Sequence, residues 1–143
     1  MSPLEKEIVR RKMAVIAENL SALKTIENMA MEEYVKDVLK RKATERLLQE
    51  LIEAAVDINT HIIVQTGNTV PDGYYESFIM AGEKGIISAD LAEKLAPSAG
   101  LRNRLVHEYD LLDHSLVLEA VKMAEKLYPK YIKEIETFIS GSI

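Results

Sequence analysis

Apolar residues at the start of the chain fall at helical spacing. Val9, Met13, Ile16, Leu20 and Leu23 recur at intervals of four, three, four and three, the stripe of an amphipathic helix. That helix is expected from about Pro3 to Asn28, with Ser2 as its N-cap and Pro3 in its first turn. A second periodic segment begins near Met31. It carries Leu47, Leu48, Leu51, Ala55, Ile58 and Ile62 and ends at a C-cap around Gly67. Lys40-Arg41-Lys42 interrupts its stripe, but no glycine or proline breaks it. One long helix, bent at most, is therefore expected, with Ile62-Ile63-Val64 as its end rather than a strand.

Thr66 to Gly73 is turn chemistry. A short helix is expected from about Tyr74 to Ala81, closed by Gly82 and Gly85. Ser88 should cap a second short helix through Leu95, with Asp90 favourably placed in its first turn. Pro97 opens a third, running to about Tyr109. Asp113 is a good N-cap for a final long helix carrying Leu116, Val117, Ala120, Ala124 and Leu127. Pro129 should kink or split that helix, because proline removes a backbone donor and crowds the preceding turn, and Gly141 should stop it. Strand alternation is nearly absent. The pattern predicts an all-α, up-and-down bundle of three long and two or three short helices, forming one domain over residues 1–143.

Composition narrows the chemistry. There is no cysteine, which excludes disulfides, thiolate nucleophiles and thiolate metal sites. No apolar run approaches the ~20 residues that span a bilayer, and the charged first residues lack a signal-peptide core; a cytoplasmic protein is expected. The net charge of −5 argues against indiscriminate binding to nucleic-acid backbone. Basic groups nevertheless cluster at Arg10-Arg11-Lys12, at Lys40-Arg41-Lys42 and at Arg102 with Arg104. The first two read as solvated helix faces.

The third belongs to the stretch with the most chemistry, Gly100 to Tyr109. At about 100° per residue, Asn103 and His107 share a helix face, and Arg104 lies one turn from His107. Arg102 and Tyr109 align on a neighbouring edge, while Leu101, Leu105 and Leu112 turn to the core. These residue types suit phosphodiester chemistry. Histidine can take a proton from a 2′-hydroxyl or give one to a leaving oxygen. Arginine grips phosphate oxygens and stabilises charge building on phosphorus. Asparagine can orient substrate or imidazole. A single copy lacks a second acid–base group, which a two-fold dimer would supply. On composition and spacing alone, a polar interface with a hydrogen-bonded packing histidine is the more ordinary description.

Arg102, four residues, His107, one residue, Tyr109 resembles the signature of HEPN-domain ribonucleases, specifically the HepT toxin family, and Asn103 after the arginine fits it. Ala43 to Ile63 is similar to that family's second helix. Tyr74-Tyr75-Glu76-Ser77-Phe78 and Gly85-Ile86-Ile87 resemble its middle segment, so roughly Glu5 to Phe138 is covered. Glu108 stands where an aspartate is expected. The resemblance implies a homodimer with a composite site and metal-independent endoribonuclease activity, with no cofactor. Arg102 and His107 would be catalytic, and Asn103 and Arg104 would position RNA. It also implies a partner, a minimal nucleotidyltransferase antitoxin of the MntA type, which transfers AMP to the motif tyrosine, here Tyr109, in what is termed a type VII toxin–antitoxin system.

Glu53, Asp57 and His61, spaced by four, share a face of the second long helix. A metal site is one reading; ion pairing with the Arg102 helix or plain solvation are others. Asp57 is the residue expected to support Arg102. His114 reads as a surface residue of a first helical turn. Tyr74, Tyr75 and Phe78 should pack their helix onto the bundle or form a dimer contact, with an RNA-stacking platform as the alternative. Tyr128 and Tyr131 should fill the space beside Pro129, and the six methionines fill gaps. A non-catalytic helical partner that supports substrate recognition by a nucleotidyltransferase is the competing function. A nucleotide-binding domain is a weaker third, since no glycine-rich phosphate loop is present.

Overall fold

In the computed structural model, which describes residues 1–141, the chain is helical throughout and shows no strand among the described residues. The helices are α1 (Pro3–Leu23), α2 (Met31–Lys36), α3 (Val38–Gln65), α4 (Tyr74–Glu83), α5 (Ala89–Leu95), α6 (Ser98–His107) and α7 (His114–Gly141). The all-α expectation holds, with four short helices instead of two or three.

The fourth arises from a break that hydrophobic periodicity hides. Asp37 leaves helical geometry at φ −96°, ψ 90°, and its carboxylate accepts the Lys40 amide, so it caps α3. A short acid can serve the backbone this way without any glycine or proline. At the other end of the preceding loop, α1 stops at Leu23 rather than Asn28. Residues 24–28 continue as tight turns, such as the Ile26 amide bonded to the Leu23 carbonyl at 2.9 Å. Ser2 caps α1 in a reciprocal box with Glu5.

Long α3 is the axis. Leu48, Leu51, Ile52, Ala55, Ile58, Ile62 and Ile63 are buried along it, with α1 packed on one flank and α4, α6 and α7 around the rest. Arg10–Glu136 at 2.7 Å joins α1 to α7, and the arginine holds the Glu136 carboxyl below its ordinary range. α4 and α5 meet closely at Gly82, where a Cβ would stand 2.5 Å from that of Ala92. Gly85 then turns the chain with φ +73°, a conformation that glycine adopts without strain.

Pro129 does not split α7, which is continuous from His114 to Gly141. Both flanking tyrosines are buried and anchored, and packing of this kind holds helices together more than intrinsic propensity does. The Tyr131 hydroxyl lies 3.0 Å from the Ala55 carbonyl and also meets the Asn59 side chain. Asn59 in turn donates to Ser77 of α4 at 3.4 Å. The Tyr128 hydroxyl bonds to Ser98, the first residue of α6, at 2.9 Å. Burial pushes both phenols above their ordinary range, so they serve as neutral donors. His114 is half-buried instead of standing on the surface. Its ring meets the edge of buried Tyr34 at 5.9 Å, and burial with the Glu45 carboxylate raises that phenol to about 12.

Candidate functional site

α6 is the helix that matters. Ala99 and Leu105 bury one side of it, Leu101 is partly buried, and Ser98 is tied to α7. Its opposite side is set by these anchors. On that side Gly100, Asn103, Arg104 and His107 are all exposed, at the i, i+3, i+4, i+7 spacing of one helical face.

Arg102 points away from this ridge, toward α3. Its Nε donates to Glu53 Oε2 at 3.0 Å and its Nη2 lies 2.9 Å from the same oxygen. Gln49 donates to that carboxylate at 3.4 Å. The guanidinium carbon sits 4.6 Å from the centroid of the Tyr74 ring, within range of a cation–π contact. A further nitrogen, Nη1, reaches Asn103 Oδ1 at 3.4 Å. With side-chain exposures of 21% and 27%, the Arg102–Glu53 pair is partly desolvated, so it orders the arginine more firmly than a surface pair would.

The acid that holds Arg102 is therefore Glu53, not Asp57. Asp57 pairs with Lys12 of α1 at 3.0 Å. The reason is one helical turn of register: Glu53 stands opposite Arg102 where α3 crosses α6, and Asp57 stands opposite α1. His61, one turn further, has Nε2 buried with no hydrogen-bond partner among the described residues. The three do not converge, and no group of three or more His, Asp and Glu among the described residues is placed to hold a metal ion. Tyr74 was expected to pack its helix, to form a dimer contact or to stack on RNA, not to underlie Arg102. Its place under Arg102 follows from how α4 meets α6, which spacing does not reveal.

The other end of the motif is open. α6 ends at His107, not at Tyr109. The chain then turns, with the Leu111 amide bonded to the Glu108 carbonyl at 2.9 Å. Tyr109 is thus off the helix and does not share an edge with Arg102; it is 60% exposed. Among the described residues the side chains of Arg104, His107 and Tyr109 make no hydrogen bond or ion pair. Leu112 is partly buried, as expected of a core-facing residue, but Leu111, Leu116 and Met123 are exposed apolar residues beside it. They border a largely apolar cleft of about 500 Å³ that also takes in Arg104 and Glu108. A second cleft, of about 750 Å³, lies between the start of α4 and the face of α6 carrying Gly100, Asn103 and Arg104.

An anchored arginine, an exposed histidine five residues further along α6 and an exposed tyrosine just past its end thus stand together at one edge of an all-helical bundle. Residues 16–137 match the family described as Ribonuclease HepT-like. The chain is 37% identical over 139 residues to the tRNA nuclease HepT of Aphanizomenon flos-aquae, covering 97% of this chain and 95% of that protein. It is 30% identical over 92 residues to the mRNA nuclease HepT of Shewanella oneidensis, 64% of each. A toxin–antitoxin structure with AMP-PNP shares the fold at a TM-score of 0.84 and 24% identity, over 92% of this chain and 98% of that one. The tri-AMPylated Shewanella oneidensis HEPN toxin, solved with its MNT antitoxin, does so at 0.82 and 24%, over 96% and 99%. The chain belongs to the Ribonuclease HepT-like family, and its class of activity is that of an endoribonuclease. No helix among the described residues is long and apolar enough to cross a membrane.

Proposed function

We propose that the chain cleaves RNA, without metal, at a site completed by a second copy of itself. In this reading the 2′-oxygen of one nucleotide attacks the adjacent phosphorus and the bond to the 5′-oxygen breaks, leaving a 2′,3′-cyclic phosphate and a 5′-hydroxyl. His107 takes the 2′-hydroxyl proton, and a His107 from the other copy protonates the leaving oxygen. Arg102 binds the phosphate and the charge that builds on it. Asn103 and Arg104 position the strand. The observation that carries this is the pairing of an arginine fixed by Glu53 and Tyr74 with a histidine that nothing in its own chain occupies. The need for two copies rests on there being one exposed imidazole on the ridge of each chain. The apolar surface at Leu111, Leu116 and Met123 adjoins the motif and offers area for such a contact.

The regulatory part of the reading is that an MntA-type nucleotidyltransferase antitoxin moves AMP from ATP to the Tyr109 hydroxyl, releasing pyrophosphate. Tyr109 is exposed enough to enter another enzyme's site. The adduct would add bulk and negative charge beside the arginine-bearing helix and exclude an RNA phosphate. Both macromolecules would be met in the cytoplasm.

The test compares wild-type and His107→Ala protein on a defined RNA in chelator, after intact mass has excluded an adduct on Tyr109. Cleavage by the wild type alone, from a species of dimeric mass, is expected. If neither protein cuts several RNAs as an unmodified dimer, the chain is instead a binding module for the nucleotidyltransferase. One observation favours that second reading: each chain taken alone supplies a single acid–base group.

A further inference from the structure

The cleft between α4 and α6 holds an arrangement that the cleavage chemistry does not use. Its walls are Tyr74, Tyr75 and Glu76 from the first turn of α4, facing Asn103 and Arg104 across a floor of Ala96, Ala99 and Gly100. The two tyrosines differ. Tyr74 is half-buried and already stacked with the Arg102 guanidinium. Tyr75 is 52% exposed, and its side chain has no hydrogen bond among the described residues. The floor residues are small, and Arg104 folds back beside them, Nη1 lying 3.5 Å from where a Gly100 Cβ would be. Glu76 is exposed at the rim. A free aromatic ring, an unpaired guanidinium, a carboxylate and an amide thus surround a cleft of about 750 Å³, a size that suits a small-molecule site.

We propose that this cleft is a nucleobase subsite: Tyr75 stacks on a base next to the scissile phosphate, and Glu76 selects bases that carry an exocyclic amine. The inference rests on the cleavage reading above, because Gly100, Asn103 and Arg104 share the helical face of His107. A strand lying along that face passes over the cleft. Single-stranded RNA is recognised by splaying bases onto aromatic rings and reading their edges. A carboxylate accepts from an amine, as it does from the cytosine N4; uracil puts a carbonyl oxygen in that position and keeps only its ring N3–H to donate. Arg104 then meets either the base plane or the next phosphate.

Two separate readouts test it. Binding is measured by fluorescence anisotropy with hexamers of A, C, G or U that are 2′-O-methylated throughout and so cannot be cut. Wild type should bind the U hexamer most weakly. Tyr75→Ala should weaken binding to all four by about ten- to one-hundred-fold, the scale of a lost base stack, and Tyr75→Phe should not. Glu76→Gln should narrow the gap between U and the rest. In cleavage of unmodified RNA, Tyr75→Ala should raise KM and leave kcat at saturation within about two-fold, as expected for lost uniform binding. Tyr75 is exposed, so the variants should melt like wild type.

Binding that ignores base identity, or that Tyr75→Ala leaves intact, overturns the proposal. So does a Tyr75→Ala defect confined to self-association or to capture by a nucleotidyltransferase, which would make the cleft a protein contact. If base-dependent, Tyr75-dependent binding is found but wild type cuts nothing, the subsite stands and the nuclease reading fails. Cleavage with base-independent binding has the opposite meaning.

Discussion

Arg102 and His107 lie five residues apart on one helix, yet their surroundings are opposite. Arg102 has an acid from α3, an aromatic ring from α4 and an amide from its own helix. His107 sits on the last turn, exposed, with no side-chain partner among the described residues, and Tyr109 beyond it is freer still. An arginine that must bind phosphate in one orientation gains from being held before substrate arrives, since preorganised charge needs no rearrangement during reaction. A histidine that must exchange protons with substrate, and a tyrosine that must enter another enzyme's site, both need to be reachable. In the proposed reading, the chain builds the electrostatic half of the site and leaves the proton-transfer and modification half to be completed from outside.

The sharpest test of that contrast separates activity from stability. Arg102→Ala and His107→Ala should each lower cleavage by about 10²- to 10⁴-fold, the range for losing a positioned acid–base or charge-stabilising group. Only the arginine variant should also lower the melting temperature, because it leaves Glu53 partly buried without its partner. If His107→Ala melts early as well, the histidine is structural, and the division between the two halves is wrong.

Next in size is Glu53→Gln, which keeps the shape but removes the charge that aligns Arg102. We expect kcat to fall about ten-fold with little change in KM, the pattern of a mispositioned group rather than a lost contact. The destabilisation should be about 1 kcal/mol, as for a partly exposed charged pair. Asp57→Asn is the matched control, since its partner is Lys12. It should leave kcat unchanged, and an equal loss in both variants would show that α3 acts on the site only through general stability. Smaller again, Tyr74→Phe should behave as wild type, because the contact under Arg102 is made by the ring. Tyr74→Ala should reduce cleavage several-fold and stability by about 0.5–1 kcal/mol. Thermal melts beside initial rates decide both.

The same division separates what could be read in advance from what could not. Helical stripes mark α1, α3 and α7 because burial repeats along them, and Ser88 and Leu95 bound α5 because capping is local chemistry. The Gly100–Tyr109 stretch stands out because its side chains are rare neighbours. The Asp37 break was not legible from periodicity, since an aspartate caps a helix only if the backbone on both sides lets it. Nor could Glu53 be told from Asp57: both lie on one face of α3, and the choice is made by where α6 crosses, which is a tertiary fact. Tyr74 beneath Arg102 has the same origin. The wired half of the site depends on contacts between helices; the open half depends on fewer, and there the sequence missed only that α6 stops at His107 and carries Tyr109 off the helix edge.

The smallest expected effect carries the last test of that openness. Tyr109 lies past the end of α6, 60% exposed and without a side-chain partner among the described residues. Removing its hydroxyl should therefore change neither folding nor chemistry. Tyr109→Phe should melt with wild type and cut RNA at the same rate. It should differ only when incubated with ATP and an MntA-type nucleotidyltransferase: wild type should gain the mass of AMP and lose cleavage, while the variant gains nothing at that position and keeps cutting. A variant that cuts poorly without any transferase would give Tyr109 a part in handling RNA, and exposure alone would no longer explain its place. A variant that is still silenced would mean that the antitoxin acts by covering the site, so that the free end of the motif is left open for a protein surface rather than for a covalent switch.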